Sequence, residues 1–438
     1  MAVLIKKGRI VDPAQKLDAE GDVLIAGGKV IACGKVGKEA LKDALRDEEL
    51  REIDAHGLIV SPGWVDMHAH LREPGDEQAE TIRSGARAAA RGGFTTVACL
   101  PDTNPPIDSE SGAEYVRLQS ERADGADVFP ICALTKGCKG ESLAELGQLS
   151  KAGAVAFSDT RPMERTDLLL KGLKYASMFD RIVSDIPRDP FLGRGVMNSG
   201  AVATLAGLSG SPAVAEELAV VRGCLLARES GGAWHAAHIS TAGAVRQMAH
   251  GKQEKLRVSC AVSPVNLLLT DEEIRERYDT RYKLRPPLRS QSDIEALLKG
   301  IESGIVDCIV SAHAPVSDER KDMEFDLAPF GGSTIEIALA ATLEVLVHQR
   351  GMSISRVIEL GSARPAELLR MKGRKGTLAP GADGDVALID PKKKWKVDSS
   401  AFISKSHVCP IDGATLRGQV AYTIVRGNVF EMETAVTR

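Results

Sequence analysis

Val65-Asp66-Met67-His68-Ala69-His70 is the stretch on which the reading of this chain turns. It is short, largely apolar and ends in two histidines one residue apart. Side chains alternate along a strand, so residues two apart point to the same side and can grip one metal ion. Seven further strand candidates follow: TTVACL (95–100), DVFPICAL (127–134), AVAFS (154–158), RIVSD (181–185), AWHAAHIS (233–240), KLRVSCAV (255–262) and VDCIVSAH (306–313). Helical stretches separate most of them, the clearest at 212–230, where Val214, Leu218, Val221 and Leu225 recur at helical spacing. Eight strands alternating with helices predict an α/β fold, a TIM (β/α)8 barrel, in which chemistry gathers at the C-terminal ends of the strands.

Outward from that barrel, assigned to residues 61–370, both ends of the chain read as strand and turn. VLIKKGRIV, DVLIAGGKVIACG and EIDAHGLIVSPG lie before it; GADGDVALIDP, KKWKV and VAYTIVRGNVFE lie after it. Residues 1–60 and 371–438 are therefore expected to pair into one small β-sandwich. A length of 438 residues at 43% hydrophobic composition suits one large barrel with such a satellite. The net charge of −4, with both signs interspersed, argues against a nucleic-acid or membrane-surface partner. The opening MAVLIKKGRIVDP has too short an apolar run for a signal peptide, which places the protein in the cytoplasm. Eight cysteines stand singly, with no CxxC pair, and read as buried free thiols.

Four segments together resemble dihydroorotase of the type I branch, in the amidohydrolase superfamily: PGWVDMHAHLREPG (62–75), RGGFTTVACLPDTNPP (91–106), AHIST (237–241) and YKLRPPLRS (282–290). The likeness runs over essentially the whole chain. It implies reversible cyclisation of carbamoyl-aspartate to dihydroorotate at a two-zinc centre with a bridging hydroxide. The family's first metal is held by two histidines after strand one, matched by His68 and His70. The bridging Asp or carbamylated Lys after strand four is replaced, in Phe157-Ser158-Asp159-Thr160-Arg161, by Thr160. The catalytic Asp after strand eight is replaced, in Ser311-Ala312-His313-Ala314-Pro315-Val316, by Ala312, and a methyl group can neither ligate a metal nor move a proton.

For the second metal, His238 matches the strand-six ligand. No histidine lies between His70 and His235, so the strand-five ligand is missing, and Asp185 stands nearest its place. On the substrate side Arg72 persists, Asp102 and Arg285 replace family asparagines, Val316 replaces a histidine, and the Pro329-Phe330-Gly331 turn remains. Phe330 and Gly331 are accordingly expected beside substrate. His313 reads as a structural strand-end histidine and His235 as a packed one facing away from His238. Arg72 is free to pair with Asp102 or Glu73, and the 185–199 loop either closes over the barrel mouth or meets a partner.

Loss of one ligand weakens a metal site by orders of magnitude and loss of a general base slows a reaction by ~10²–10⁴. These replacements therefore lead to the expectation of a degenerate, non-catalytic homologue binding one zinc ion or none. The resemblance implies that such a chain assembles as an oligomer with aspartate carbamoyltransferase. The rival expectation is a working cyclic amidohydrolase, acting on dihydroorotate or a relative of it. It would hold a single zinc through His68, His70 and His238, with Asp185 as the fourth group.

Overall fold

Each of the eight strands expected in the central region is present in the computed structural model, which describes residues 1–44, 49–275 and 277–431. Residues 432–438 of the expected C-terminal segment lie outside the described ones. In chain order the strands are β1 (Ala2–Asp12), β2 (Leu17–Ala26), β3 (Lys29–Gly34), β4 (Leu50–Asp54) and β5 (Ile59–Pro62), followed by the first barrel strands. Those are β6 (Trp64–Ala69), β7 (Phe94–Cys99), β8 (Asp127–Ala133), β9 (Ala156–Ser158) and β10 (Ile182–Asp185). After the short pair β11 (Met197–Asn198) and β12 (Gly210–Ser211) come β13 (Trp234–Ala236), β14 (Val258–Val262) and β15 (Cys308–Ile309). The chain ends with β16 (Val386–Lys396), β17 (Thr415–Val425) and β18 (Asn428–Glu431).

The barrel strands lie side by side in chain order, β6 through β10 and then β13 to β15, all parallel. Such strands are buried on both faces, which is why they read as near-continuous apolar runs. Val65, Met67, Ala98, Ile131, Ala156, Ile182, Ala261 and Cys308 form one inner core. Trp64, Phe94, Phe157 and Trp234 belong to an outer one beneath the helices. The ring closes between β6 and the segment after β15: Ala69 bridges His313, and the His70 amide donates to the His313 carbonyl at 2.8 Å. Asp66, fully buried, accepts from the Ser311 amide at 3.1 Å and from the Ser311 hydroxyl.

The helical spacing at 212–230 locates a real helix, Ala213–Ser230, but the large residues that reveal it do not face the barrel. Val214, Leu218 and Leu225 are exposed, whereas Ala215, Ala219, Val220, Gly223, Cys224 and Ala227 pack inward. Trp234 is the reason. A Cβ at position 223 would fall 2.2 Å from its indole, so only a stripe of small residues lets the helix approach β13.

The termini do pair, and hydrogen bonds join their strands in one sheet of order β18-β17-β16-β5-β1-β2-β3, with β4 also on β1. Its core mixes residues from both ends, including Val3, Ile5, Val23, Val386, Leu388 and Ile424. GADGDVALIDP and KKWKV, separate in the sequence reading, contribute to one strand, β16, whose pairing with β17 is irregular between Asp390 and Lys394. Seven of the cysteines are buried and Cys33 is partly so, all of them free. Among the described residues no helix is long and apolar enough to cross a membrane.

The sheet is tied to the barrel by a buried ammonium group. Lys375 Nζ lies 2.7 Å from Asp127 at the start of β8, 2.6 Å from Asp385 and 3.1 Å from Asp383. Three carboxylates close enough to share an ion are therefore already neutralised by a lysine, with Arg426 and Arg374 at the edge. Removing one member of a buried charge network leaves its partners uncompensated, at a cost of about 3–5 kcal/mol. Lys375→Met is accordingly expected to lower the unfolding free energy by about that amount in urea titrations; a loss below about 1 kcal/mol would show that the cluster does not anchor the sheet.

Candidate active-site cavity

At the C-terminal ends of the strands the barrel opens into a cavity of about 190 Å³. His68 and His70 enter it from β6, Thr160 after β9, Ile186 to Arg188 after β10, His238 after β13, and Ala312 after β15. Arg72, Arg285, Phe330 and Gly331 complete the wall from the loops. Strand β6 is bulged, its register against β7 shifting between Asp66 and Ala69. A bulge re-aims the side chains around it, which lets Met67 stay in the inner core while His68 faces the cavity.

The three histidines cluster. The His68 ring centroid lies 4.6 Å from that of His238 and 5.5 Å from that of His70, both edge-on. Burial first, and then the neighbouring imidazoles, push His68 well below the ordinary histidine range, so its ring is neutral at pH 7. Burial likewise takes His238 down to about 4, against the opposing hydrogen bond to a carbonyl. That bond runs from His238 Nε2 to the Arg285 oxygen at 2.8 Å and leaves Nδ1 with its lone pair. The Nδ1 atoms of both His68 and His238 are buried without partners.

His70 and Arg72 share one carboxylate. Asp102 lies 2.7 Å from His70 Nδ1 and accepts from Arg72 Nη1 at 3.2 Å, while Arg72 Nε donates to the Pro315 carbonyl. Burial acts to raise the Asp102 carboxyl, but His70 and then Arg72 outweigh it and hold the group ionised. Glu216, also at the wall, accepts from the amides and hydroxyls of Ser240 and Thr241.

Asp185, expected as a fourth ligand, does not line the cavity and forms no ligand group with the histidines among the described residues. One of its carboxylate oxygens accepts from Trp234 Nε1 at 3.3 Å, with Arg222 at 3.6 Å, and the other is buried without a partner. Burial pushes it up to about 6 despite Arg222. Asp159 is turned away as well, accepting from the Thr135 amide at 2.8 Å and hydroxyl at 2.5 Å. His313 is fully buried between Glu80 and the Thr334 amide, and His235 pairs with Ser259 at 2.8 Å.

Thr160 and Ala312 stand where carboxylates are expected, and both have left-handed backbones, at φ 56° and 54°. For a β-branched residue that conformation is a genuine outlier, of the kind found where a site dictates the backbone. The Thr160 hydroxyl donates to the Asp159 carbonyl at 2.6 Å rather than into the cavity. Among the described residues, the nitrogens of His68, His70 and His238 do not all fall within 4.8 Å of one another. A two-metal centre does not fit this residue set, because no carboxylate is placed to bridge two dications. Arg188 and Glu216 are wall residues that the sequence does not single out: nothing in the 185–199 loop or in the helix after it says which side chain turns inward.

Comparison with known proteins bears on the same region. A family profile described as "Dihydro-orotase-like" matches residues 57–244, and one described as "Amidohydrolase family" matches residues 195–430. The chain is 42% identical over 435 residues to a dihydroorotase of Syntrophus aciditrophicus, covering 99% of this chain and 100% of that one. It is 43% identical over 431 residues to a dihydroorotase of Citrifermentans bemidjiense, covering 98% and 99% respectively. Among solved structures, L-hydantoinase (dihydropyrimidinase) from Arthrobacter aurescens superposes with a TM-score of 0.84 at 25% identity, covering 99% of this chain and 97% of that one. Dihydropyrimidinase from Brevibacillus agri, at a TM-score of 0.83 and 23% identity over 98% and 95%, shares the fold.

His235 offers a pH test of how dry the barrel is. Burial lowers its pKa from 6.5 to about 4, so the unfolded chain binds a proton that the folded chain refuses, and stability falls as pH drops through that window. Asp185, raised to about 6, acts with the opposite sign, so the comparison must be with a variant rather than with zero slope. Between pH 7 and pH 4 the wild type is expected to lose about 3 kcal/mol more than His235→Gln. Parallel stability curves would place a wet, protonatable histidine there instead.

Proposed function

Because the chain belongs to the dihydroorotase family of the amidohydrolase superfamily, we propose that it is a member that has kept the barrel and lost the reaction, serving pyrimidine biosynthesis as a structural partner of aspartate carbamoyltransferase. The observation that carries this reading is that, among the described residues, the one carboxylate that lines the cavity, Glu216, is already bonded. Interconverting carbamoyl-aspartate and dihydroorotate needs a polarised carbonyl and a group that gives and takes a proton at the amide nitrogen. The family's metal ions supply the first as Lewis acids and, through a bound hydroxide, a nucleophile. Here Thr160 and Ala312 offer no bridging oxygen and no base, while Asp102 is bound to His70 and Arg72, and Glu216 is saturated by four donors.

Support for a partner comes from the Ala213–Ser230 helix, on which Val214, Leu218 and Leu225 are 46%, 49% and 46% exposed along one face. A contiguous apolar face of this kind is characteristic of association surfaces. The transcarbamoylase of the same cell is the occupant that the family resemblance implies.

A second reading is favoured by one specific observation, the two buried and unpartnered Nδ1 atoms of His68 and His238. Neutral imidazoles with free lone pairs are zinc ligands, and His70 offers Nε2 beside them. On this reading a single zinc ion serves an active cyclic amidohydrolase. Less than a tenth of an equivalent of zinc after loading and desalting, by elemental analysis, removes it; one equivalent, together with turnover, both lost in His238→Ala, would establish it.

Mixed at micromolar concentrations, the chain and the transcarbamoylase are expected to co-elute. Leu218→Glu together with Leu225→Glu should abolish co-elution without lowering the melting temperature, since neither side chain is in the core. Separate elution of the wild-type proteins contradicts the scaffold role.

A further inference from the structure

Among the described residues the cavity wall carries four arginines, and two of them have no counter-charge there. Arg72 is paired with Asp102. Arg289 donates to Ser240, Asn198 and the Ser211 carbonyl at 2.8–3.1 Å, with Glu216 at 3.9 Å. Arg188 and Arg285 are different: among the described residues no carboxylate lies within ion-pair distance of either, and neither guanidinium donates a hydrogen bond. Arg188 Nε is buried with no acceptor at all. Arg285 holds its guanidinium carbon 3.7 Å from the centre of the Phe330 ring, a cation–π contact that occupies none of its N–H donors.

Both side chains are held in place. A Cβ at position 193 would fall 2.3 Å from Arg188 Cγ and 2.5 Å from Cδ, so the stem of Arg188 runs under Gly193 and only a glycine admits it there. The loop that replaces the family's strand-five ligand thus also carries a cation into the cavity. Both side chains line the same cavity, and burial first, with Arg188 second, lowers Arg285 to about 10. Unpaired neighbouring cations in a partly dry cavity are unfavourable alone and are stabilised by an anion placed between them.

We propose that Arg188 and Arg285 form an oxyanion cleft that takes the carboxylate or phosphate of a small ligand, whose remaining body lies against the apolar wall of Ile186, Pro187 and Val265. A guanidinium fork matches either oxyanion in bidentate fashion. The cleft goes beyond the proposed loss of catalysis, because it needs no metal and no base, and it stands equally for a single-zinc enzyme. It also differs from recognition by Arg72, whose donors already meet Asp102 and Pro315.

The test is calorimetric titration of the full chain with inorganic phosphate and, separately, with malonate, at low ionic strength, on wild type, Arg188→Gln, Arg285→Gln and Arg285→Lys. Saturable one-site binding of at least one probe is expected, weakened about tenfold or more in each Gln variant. Arg285→Lys keeps the charge without the fork and should fall between. Preference for phosphate identifies a phosphorylated ligand, and preference for malonate a carboxylated one. The same anion should raise the melting temperature of the wild type more than that of either Gln variant. Circular dichroism checks each fold, and if Arg188→Gln is unfolded the two Arg285 variants decide. No saturable binding of either probe at millimolar concentration, or equal affinity in wild type and the folded variants, overturns the cleft.

Discussion

A parallel sheet of eight strands has two raw edges until its first strand meets its last, and here the meeting is made by a buried carboxylate. Asp66 on β6 accepts both the amide and the hydroxyl of Ser311, and the His70 amide bonds the His313 carbonyl one step further on. Burial raises the Asp66 carboxyl, and the Ser311 hydrogen bonds counter that rise. Closure is what sets His68 and His70 beside position 312. Every statement about the cavity depends on it.

Given that closure, the mouth of the barrel is a problem of charge distribution. A metal centre of the family type concentrates carboxylates and neutral imidazoles around two dications. In this chain the imidazoles remain clustered, with His68 and His238 neutral, while Glu216 at the wall is held by Ser240 and Thr241 and the other nearby anions are turned elsewhere: Asp102 to His70 and Arg72, Asp159 to Thr135, Asp185 to Trp234 and Arg222. The positive balance sits on Arg188 and Arg285. Thr160 and Ala312 both keep left-handed backbones at the mouth of the barrel, a conformation that non-glycine residues rarely adopt.

How much of this is legible in sequence follows from the range of each interaction. Strands buried on both faces and a His-x-His at a strand end are local patterns, and all eight strands and the two histidines fall where the pattern places them. Helical spacing locates the Ala213–Ser230 helix but cannot say which of two stripes faces inward, since that is decided by the volume of Trp234 on another element. Asp185 has the right neighbours in sequence and the wrong ones in space. The Lys375 cluster, joining residues from 127 to 385, is a set of contacts that no local window contains, and the inward turn of Arg188 under Gly193 depends on a loop path that no periodic pattern encodes.

The central claim is that the barrel is retained without its reaction. Dihydroorotate hydrolysis by the zinc-loaded chain, run beside a His68→Ala control that reports contaminating host enzyme, tests it most directly. The account predicts no turnover above that control. Turnover that disappears in His68→Ala would contradict it, and would mean that three histidines suffice for a working centre without a carboxylate at position 160 or 312.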